Sequence, residues 1–441
     1  MFHKMMMGRL LAVLLALVWG AATGAAAFEY YTFDGPGFPS CHNVSRVYNA
    51  TSVDDVASLV KSLTASNSTA VRVRAAGKGH MWYDTQCSDA WTVIVRTEEL
   101  SAIWDLDLPA GAESGSVWVE AGVTFFQLAE YLHERGASVG YTLTNWNISF
   151  GGSVAMGAHR SSIREESMVA AGVLAMDIWW PYKRKFHQRY YDVVPANSTS
   201  QEGFQNTFSV TELEAVTART ILDSGKYLAT SNMLAEEIFF GLWSKPNFRE
   251  KKTNEAIEEW PVYGWNYDVL IGGLYPDQKA EWEYGLAGYT LELAFPVTMA
   301  NRMLKRVREL FDDELKKGIV MTSTYRSGIN IKFGKAYYDL LGQVTYNTSD
   351  GADWTKGAIM FDFPSYRPTI GDHKRFNEPF SNTLIDEFPC RPHWTKNTRE
   401  VFARSVKNFD PDHLRRFNEV RKRFDPNGIY RSVVGEILGF Y

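Results

Sequence analysis

Two glycine-rich segments contain the residues of this sequence that are best suited to binding a phosphate group. The first, Gly77-Lys78-Gly79-His80, directly follows residues 71–75, whose alternating Val and Arg side chains are typical of a β-strand. Glycines lack side chains and so let successive backbone N–H groups converge on a pyrophosphate. A Gly-x-Gly after a strand is also common in an ordinary tight turn, so this segment alone leaves both interpretations open.

The second segment runs from Gly151 to Ser162 and combines glycines and serines with small apolar residues, which again permits close approach of the backbone to a ligand. Neither segment has the Gly-x-Gly-x-x-Gly spacing in a strand-to-helix context, and neither begins the first βαβ unit of the chain. The sequence therefore argues against a nicotinamide-dependent dehydrogenase.

Four blocks of the sequence, taken in order, resemble a known group of flavoproteins. Residues 71–84, 117–132 and 151–162 resemble the FAD-binding domain of the vanillyl-alcohol oxidase superfamily. The tail, residues 391–396 with 421–428, is similar to the sugar-lactone oxidases, a branch that includes arabinonolactone and gulonolactone oxidases. The resemblance implies FAD as cofactor and an α+β fold, in which a two-subdomain FAD-binding domain carries an α+β substrate cap domain.

The resemblance also implies which residues surround the cofactor. The pyrophosphate loop matches Gly77, Lys78, Gly79 and His80, and Met81 stands where the family usually has Ser. The second wall matches Gly151, Gly152, Ser153, Gly157 and His159, with Arg160 in place of the usual glycine. In the family the histidine of the first loop is often bonded covalently to the flavin. For His80 we expect this bond, with a histidine that only hydrogen-bonds near FAD as the alternative.

The chemistry implied is hydride transfer from a carbon bearing a hydroxyl group to the flavin, which requires a cation near the flavin ring. Lys396 matches the lysine of the family's His-Trp-x-Lys motif and is the candidate for that cation. His393 of the same motif either orients the substrate or fills a polar pocket. A lysine exposed near a helix start is the alternative for Lys396.

The sequence departs from the family on a strand of the cap domain. The family places a Glu and an Arg two residues apart there, so that both face one side. The corresponding residues are Asn330, which cannot accept a proton as Glu can, and Lys332, which lacks the bidentate fork of Arg. This departure points to a changed substrate, a changed base or lost activity.

The spacing of apolar residues predicts the elements that position these residues. Helices are expected from the capping pair Ser52 and Asp55, from Thr124 to Gly136, from Thr298 to Gly318 and from Pro411 to about residue 424. Strands are expected at residues 71–75, 91–96, 116–121 and 289–295. Residues 182–288 show no clean period, and the glycine-rich strand that completes the family's FAD domain has no clear counterpart between Ala175 and Tyr227.

The predicted domain organisation is a leader (residues 1–27), an FAD-binding domain (40–230), a substrate cap domain (231–400) and a C-terminal segment (401–441) that returns to the FAD domain. The leader combines Lys4 and Arg9 with a short apolar run and a small-residue exit. Because that run is shorter than the ~20 residues of a membrane span, we expect a cleaved signal peptide rather than a membrane anchor.

Composition agrees with a secreted globular protein. The chain has 441 residues and a formal net charge of −5, with no long basic run to recruit nucleic acid or an anionic membrane. Six Asn-x-Ser/Thr sequons follow the leader, at Asn43, Asn49, Asn67, Asn147, Asn197 and Asn347. The three cysteines, Cys41, Cys87 and Cys390, permit at most one internal disulfide.

Together these features predict a secreted FAD-dependent oxidase of a sugar lactone or polyol, which passes electrons to oxygen or another acceptor and spans no membrane after the leader is removed. Two alternatives stay open. An oligosaccharide oxidase of the berberine-bridge branch would usually add a cysteine link to flavin, and no cysteine lies between Cys87 and Cys390. A flavin-free carbohydrate-binding protein is suggested by Asn330, Lys332 and the missing strand.

Overall fold

The computed structural model describes most of the chain in segments. These are residues 27–31, 40–65, 71–111, 114–139, 146–159, 162–166, 175–180, 185–190, 204–206, 229–244, 248–250, 288–316, 328–345, 350–366 and 378–441, with isolated residues between 213 and 256. Nearly all of the predicted leader, Arg160 and the sequons at Asn67, Asn197 and Asn347 lie outside the described residues.

Strands occupy much of the described chain. In chain order they are β1 (Phe28–Tyr31), β2 (Ser40–Asn49), β3 (Val71–Ala76), β4 (Trp91–Arg96), β5 (Ile103–Asp107), β6 (Ser116–Val119), β7 (Ser162–Glu166), β8 (Ala175–Trp180), β9 (Lys185–Tyr190), β10 (Phe204–Asn206), β11 (Phe248–Glu250), β12 (Gly288–Pro296), β13 (Ile329–Lys335), β14 (Ala358–Tyr366) and β15 (Arg391–Pro392).

The helices alternate with these strands. They are α1 (Val53–Ala65), α2 (Phe125–His133), α3 (Phe150–Ala155), α4 (Ala229–Ser244), α5 (Ala300–Lys316), α6 (Glu378–Glu387), α7 (Arg399–Ser405), α8 (Pro411–Phe424) and α9 (Val433–Ile437). Short 3-10 turns lie at Asp84–Gln86, Val297–Met299 and Val406–Asn408. Among the described helices, none is both long and apolar enough to cross a bilayer.

The first half of the molecule is built on a sheet with the order β1-β2-β4-β3, in which β2, β4 and β3 run parallel. Helix α1 covers it by packing Val56, Leu59 and Leu63 near buried Val73 and Val95. Strand β3 ends at the first glycine segment, so this sheet positions that segment.

A larger sheet forms the second half, with the order β15-β12-β14-β13-β8-β9 and β7 paired to β13. One face of its central strands is apolar and packs against α5 and α6, through residues that include Leu291, Leu293, Phe295, Ile331, Phe361, Val307, Phe311 and Leu384. Side chains alternate along a strand, so the residues between these apolar ones face the opposite side of the sheet. That opposite face carries Glu292, Lys332 and Asp362.

The C-terminal segment contacts the first sheet. The N–H of Val73 donates to the Ile429 carbonyl at 3.0 Å, and the N–H of Val433 donates to the Cys87 carbonyl at 2.9 Å. Cys87 is itself joined to Cys41 by a disulfide, whereas the thiol of Cys390 is free and buried. The strand that opens the site is thus held by residues more than 350 positions later in the chain.

The observed fold confirms the predicted α+β class. Helix α2 begins at Thr124 with a complete capping box shared with Gln127, and the chain turns after it at Gly136, whose φ is +72°. The segment from Ala175 to Tyr227, where the sequence shows no clear counterpart of the family's glycine-rich strand, contains the hairpin β8–β9. Strand β8 pairs with β13 of the larger sheet. The sequence pattern did not predict this hairpin, since its aromatic and charged residues lack strict alternation.

Candidate functional site

The first glycine segment forms one wall of a cavity between the two sheets. It leaves the end of β3 and turns at Gly79, where the backbone φ is +72°. A Cβ atom at Gly77 would lie 2.0 Å from the Ser149 hydroxyl oxygen, far inside contact distance. Glycine is therefore required at position 77 for the two walls to approach each other.

The second glycine segment forms the facing wall through α3 and the turn that follows it. The N–H of Gly151 donates to the Ala121 carbonyl at 2.9 Å, and a Cβ atom at Gly151 would lie 2.7 Å from the Ala121 Cβ. Gly157 has a φ of +60° and reverses the chain before His159. Gly151 and Gly157 thus shape the wall from behind, and neither lines the cavity.

The cavity has a volume of about 210 Å³ and joins both walls to residues of the larger sheet. It brings together most of the residues that the sequence predicts for the site: Gly77, Lys78, Gly79, His80, Met81, Gly152, Ser153, His159, Lys332, His393 and Lys396. Asn330 does not line it. On β13 Asn330 pairs with Asp362 on one side and with Ile178 on the other.

His80 and Lys78 lie at the first wall with separate contacts. The His80 ring meets the Trp82 ring edge-on, with 5.5 Å between their centroids. The Lys78 ammonium lies 3.7 Å from a carboxylate oxygen of Glu98. Both side chains are half-buried, so each remains next to the cavity that it lines.

Four alternating charges lie at the polar end of the cavity, on the face of the larger sheet that is turned away from α5, and the two lysines among them line it. Lys332 Nζ lies 2.9 Å from Glu292 Oε2 and 3.1 Å from Asp362 Oδ2. Lys396 Nζ lies 2.7 Å and 3.0 Å from the same two oxygens. We call these four residues the ion-pair cluster.

Hydrogen bonds from outside the cluster hold both carboxylates in place. His159 Nε2 bonds to the other oxygen of Glu292, and the Thr290 hydroxyl donates to the other oxygen of Asp362. Glu292 is completely buried, and Asp362 is nearly so. Buried carboxylates with all their oxygens bonded are fixed in orientation, and so are the ammonium groups that they hold.

The charge states of the cluster follow from these contacts. Burial by itself raises the pKa of Glu292, but electrostatic interactions with His159 and the two lysines outweigh it and hold this pKa well below its ordinary value. Burial by itself lowers the pKa of Lys332, but Glu292 and Asp362 raise it well above its ordinary value. Glu292 is therefore an anion and Lys332 a cation at neutral pH.

The segment that follows β15 positions His393 and Lys396. The N–H of His393 donates to the Glu292 carbonyl at 3.0 Å, and the Asn397 amide donates to the carbonyls of Glu292 and His393, each at 2.8 Å. The N–H of Trp82 donates to the Thr395 carbonyl at 3.1 Å. This segment therefore ties the first wall to β12.

His393 is a neutral imidazole with a defined tautomer. Burial lowers its pKa well below the ordinary value, and electrostatic interactions with Lys396 and His159 act in the same direction, against the carboxylate of Glu292. The N–H of Thr395 donates to Nδ1 of His393 at 3.2 Å, so the ring proton resides on Nε2. His393 can thus donate one hydrogen bond to a ligand oxygen.

The ligand atoms of His159, Glu292 and His393 lie within 4.8 Å of one another, a spacing at which three such groups could hold a metal ion. Two features oppose a cation here. Glu292 Oε2 already accepts hydrogen bonds from two ammonium groups, which repel a cation. On His393, one ring nitrogen accepts a hydrogen bond and the other bears the proton. The arrangement favours an ion-pair cluster over a metal site.

Glu292 and Asp362 are site residues that the sequence interpretation missed. Each is the charged residue in the middle of an apolar strand, between Leu291 and Leu293 in one case and between Phe361 and Phe363 in the other. A charged residue at such a position must find a partner when it is buried. That signal was present in the sequence, but it could not say that both carboxylates share the same two lysines.

The shape of the two walls fits a dinucleotide cofactor. Glycines at positions 77, 79 and 152 leave backbone exposed along the cavity, and Lys78 adds a positive charge. Exposed backbone N–H groups next to a cation are what a pyrophosphate requires.

Comparison with known proteins agrees with this geometry. Residues 44–181 match the family model of the FAD binding domain, and this segment includes both glycine walls. No curated protein sequence matches the chain.

Two solved structures share the fold over nearly the whole chain. A solvent-stable cholesterol oxidase is 12% identical with a TM-score of 0.63, and the alignment covers 93% of this chain and 97% of that one. The cholesterol oxidase from B. sterolicum is also 12% identical with a TM-score of 0.63, covering 94% and 97%. At this identity the likeness concerns the fold. The match of residues 44–181 to the FAD binding domain establishes FAD as the cofactor of this protein.

Proposed function

We propose that this protein is an FAD-dependent oxidase that removes hydride from a hydroxyl-bearing carbon of a sugar lactone or polyol. The observation that carries the proposal is the convergence of the two glycine walls with Lys332, His393 and Lys396 on one cavity. The walls would hold FAD, and the three polar side chains would meet the substrate. FAD, when bound, supplies a two-electron acceptor for the hydride.

The polar side chains define what they would do to a substrate. Each lysine uses two of its three ammonium protons on the carboxylates, so one proton of each remains to donate to a substrate oxygen. His393 adds a third donor through Nε2. Such donors orient a hydroxyl-rich molecule, and the ammonium charge of Lys396 stabilises negative charge that develops during hydride removal.

Secretion is part of the proposal. It is supported by the leader composition of residues 1–27, by the disulfide between Cys41 and Cys87, and by the exposed sequons at Asn43 and Asn49. The test is mass spectrometry of protein purified from the medium of a secretory host. A mature N-terminus near residue 28 with glycans on these sequons is expected, whereas an intact leader would contradict secretion.

We also propose a covalent bond between a ring nitrogen of His80 and a carbon of the flavin. Its formation would replace one N–H and one C–H bond, and the two electrons would be taken up by the flavin and passed on to oxygen. The half-buried His80 ring lines the cavity beside the glycines of the first wall, as such a bond requires. A denaturing gel viewed under ultraviolet light tests it, because only bonded flavin stays with the protein band. A dark band for wild type would refute the bond, and His80→Ala provides the matched negative control.

The function itself is tested by an absorption spectrum followed by a substrate screen. We expect purified protein to be yellow and to release hydrogen peroxide with sugar lactones or polyols. Cholesterol belongs in the screen, since the two similar structures are cholesterol oxidases. A colourless protein that cannot be reconstituted with FAD would overturn the proposal and favour a flavin-free carbohydrate-binding protein. Peroxide with cholesterol alone would correct the substrate class.

A further inference from the structure

The ion-pair cluster contains two lysines, yet its formal charges sum to zero. We propose that Glu292 and Asp362 make it a specificity filter, which admits neutral polyhydroxy ligands and rejects ligands that bear a carboxylate. The inference rests on the proposed function, because it names the charge class of substrate for that same cavity. A lactone and the open-chain acid that it forms on hydrolysis differ in this property, so the filter would separate the two.

The placement of the charges supports the filter. The two lysine side chains line the cavity, whereas Glu292 and Asp362 lie behind them and do not. The side chain of Glu292 is 0% exposed and that of Asp362 8%, compared with 14% and 16% for the lysines. A ligand therefore meets ammonium protons first, although their charge is already balanced from the buried side.

Without the two carboxylates, paired lysines in a partly buried cavity would attract an anion strongly. With them, a ligand carboxylate gains little net attraction and must still give up its water. The ligand carboxylate would also be repelled by the negative charges of Glu292 and Asp362. A neutral hydroxyl or carbonyl oxygen needs only the one remaining proton on each ammonium.

The cluster cannot easily rearrange to admit an anion. For a ligand carboxylate to take their place, Glu292 or Asp362 would have to release the ammonium groups. Both carboxylates are also bonded on their second oxygens, to His159 and Thr290. A buried carboxylate that loses its cations is left uncompensated, which is strongly unfavourable. The filter is thus fixed by the fold.

The test is binding of D-gluconate to the FAD-loaded protein, measured by equilibrium dialysis without oxygen after the flavin has been reduced with dithionite, with sorbitol as the neutral ligand. Reduced flavin cannot accept hydride, so neither ligand is oxidised; wild type is expected to bind sorbitol and to show no saturable binding of gluconate. Asp362→Asn keeps the side-chain shape and leaves one net positive charge, so gluconate should bind at least tenfold more tightly than to wild type. Wild type that binds gluconate as tightly as sorbitol would by itself overturn the filter, whatever the variants show.

A second charge change provides the matched control. In Asp362→Asn combined with Lys332→Gln the cluster is neutral again, and the gain in gluconate binding should disappear. If Asp362→Asn loses FAD, Glu292→Gln makes the same change of charge and takes its place. A gain that persists in the neutral double variant would contradict the charge argument.

These measurements need no turnover, so they separate this inference from the proposed function. If no lactone or polyol is oxidised but gluconate binding appears on neutralising a carboxylate, the filter stands and the proposed reaction falls. If lactones are oxidised and wild type also binds gluconate, the reaction stands and the filter falls.

Discussion

Lys396 connects the cavity with the buried charges of the larger sheet. Its ammonium lines the cavity and is held at 2.7 Å from Glu292 and 3.0 Å from Asp362. Because the carboxylates are fixed by other bonds, the position of this cation depends on the sheet and not on the flexibility of its own side chain. Preorganised charge of this kind stabilises a transition state more than mobile charge does.

Replacing Lys396 with Met is therefore expected to lower the rate of flavin reduction by substrate by about 10²–10³-fold. The same variant should bind sulfite more weakly, because a nearby cation favours the anionic sulfite adduct of flavin. Stopped-flow reduction and a sulfite titration measure these two effects. Lys422→Met, an exposed lysine on α8, is the control and should change neither. Unchanged sulfite affinity in Lys396→Met would place this lysine away from the flavin.

The contribution of Glu292 to the stability of the protein should depend on pH. Its folded-state pKa lies well below the ordinary value of 4.5, so its contribution to stability is complete above that value and is lost as the pH falls through the lowered pKa. The difference in unfolding free energy between wild type and Glu292→Gln should thus be level from about pH 5 to pH 9 and shrink only in strong acid. Urea unfolding across this range measures it, with exposed Glu134→Gln as control. A difference that shrinks already near pH 6 would contradict the lowered pKa.

At the scale of elements, the site depends on how closely two turns approach. The turn after β3 and the start of α3 meet at Gly77 and Ser149, with no room between them for a Cβ atom. Helix capping and strand alternation are local signals that form the individual elements. The close approach itself is a contact between elements more than 70 residues apart.

We expect Gly77→Ala to reduce bound FAD by at least tenfold while the protein stays folded, since the added methyl group would lie 2.0 Å from the Ser149 hydroxyl and force the walls apart. The ratio of flavin to protein absorbance measures FAD content, and circular dichroism checks the fold. Gly241→Ala is the matched control, because a Cβ atom at Gly241 in α4 meets nothing within 4 Å. Full FAD content in Gly77→Ala would show that the first wall tolerates separation.

At the scale of the whole molecule, early and late segments of the described chain meet at the first sheet. The disulfide of Cys41 and Cys87 ties the start of β2 to the segment before β4, and Val433 bonds to the carbonyl of Cys87. Arg399 adds ion pairs from α7 to Asp84 and Asp89. The first sheet, whose strand β3 ends at the cavity, is therefore held by the disulfide and by the C-terminal segment.

Removing the disulfide should destabilise the protein by about 4 kcal/mol, the loss of chain entropy expected for a loop of 46 residues. The double variant Cys41→Ala and Cys87→Ala, compared with wild type in urea, measures this difference. Cys390→Ala leaves the disulfide intact and is the control. An unchanged unfolding midpoint in the double variant would show that the loop is already constrained without the disulfide.

Local signals in the sequence were sufficient for some of the elements and marked the two glycine segments, which the family resemblance then identified as cofactor walls. The capping pair at Thr124 and Gln127, the alternation of residues 289–295 and the glycines at positions 77 and 79 act over a few residues, so their effect is visible without tertiary contacts. They predicted the α+β class and the starts of α1, α2, α5 and α8, whereas FAD was predicted from the family resemblance.

Only the tertiary structure decided the polar end of the site. Glu292, Asp362 and Lys396 come from three strands or turns far apart in the chain, and their common hydrogen bonds arise from the register of β12, β14 and β13. Asn330 and Lys332 share one face of β13, but only Lys332 lies at the position along the strand that lines the cavity. A charge far away in sequence contributes nothing to local periodicity, which is why the lysines could be predicted singly, whereas their shared carboxylates could be found only in the fold.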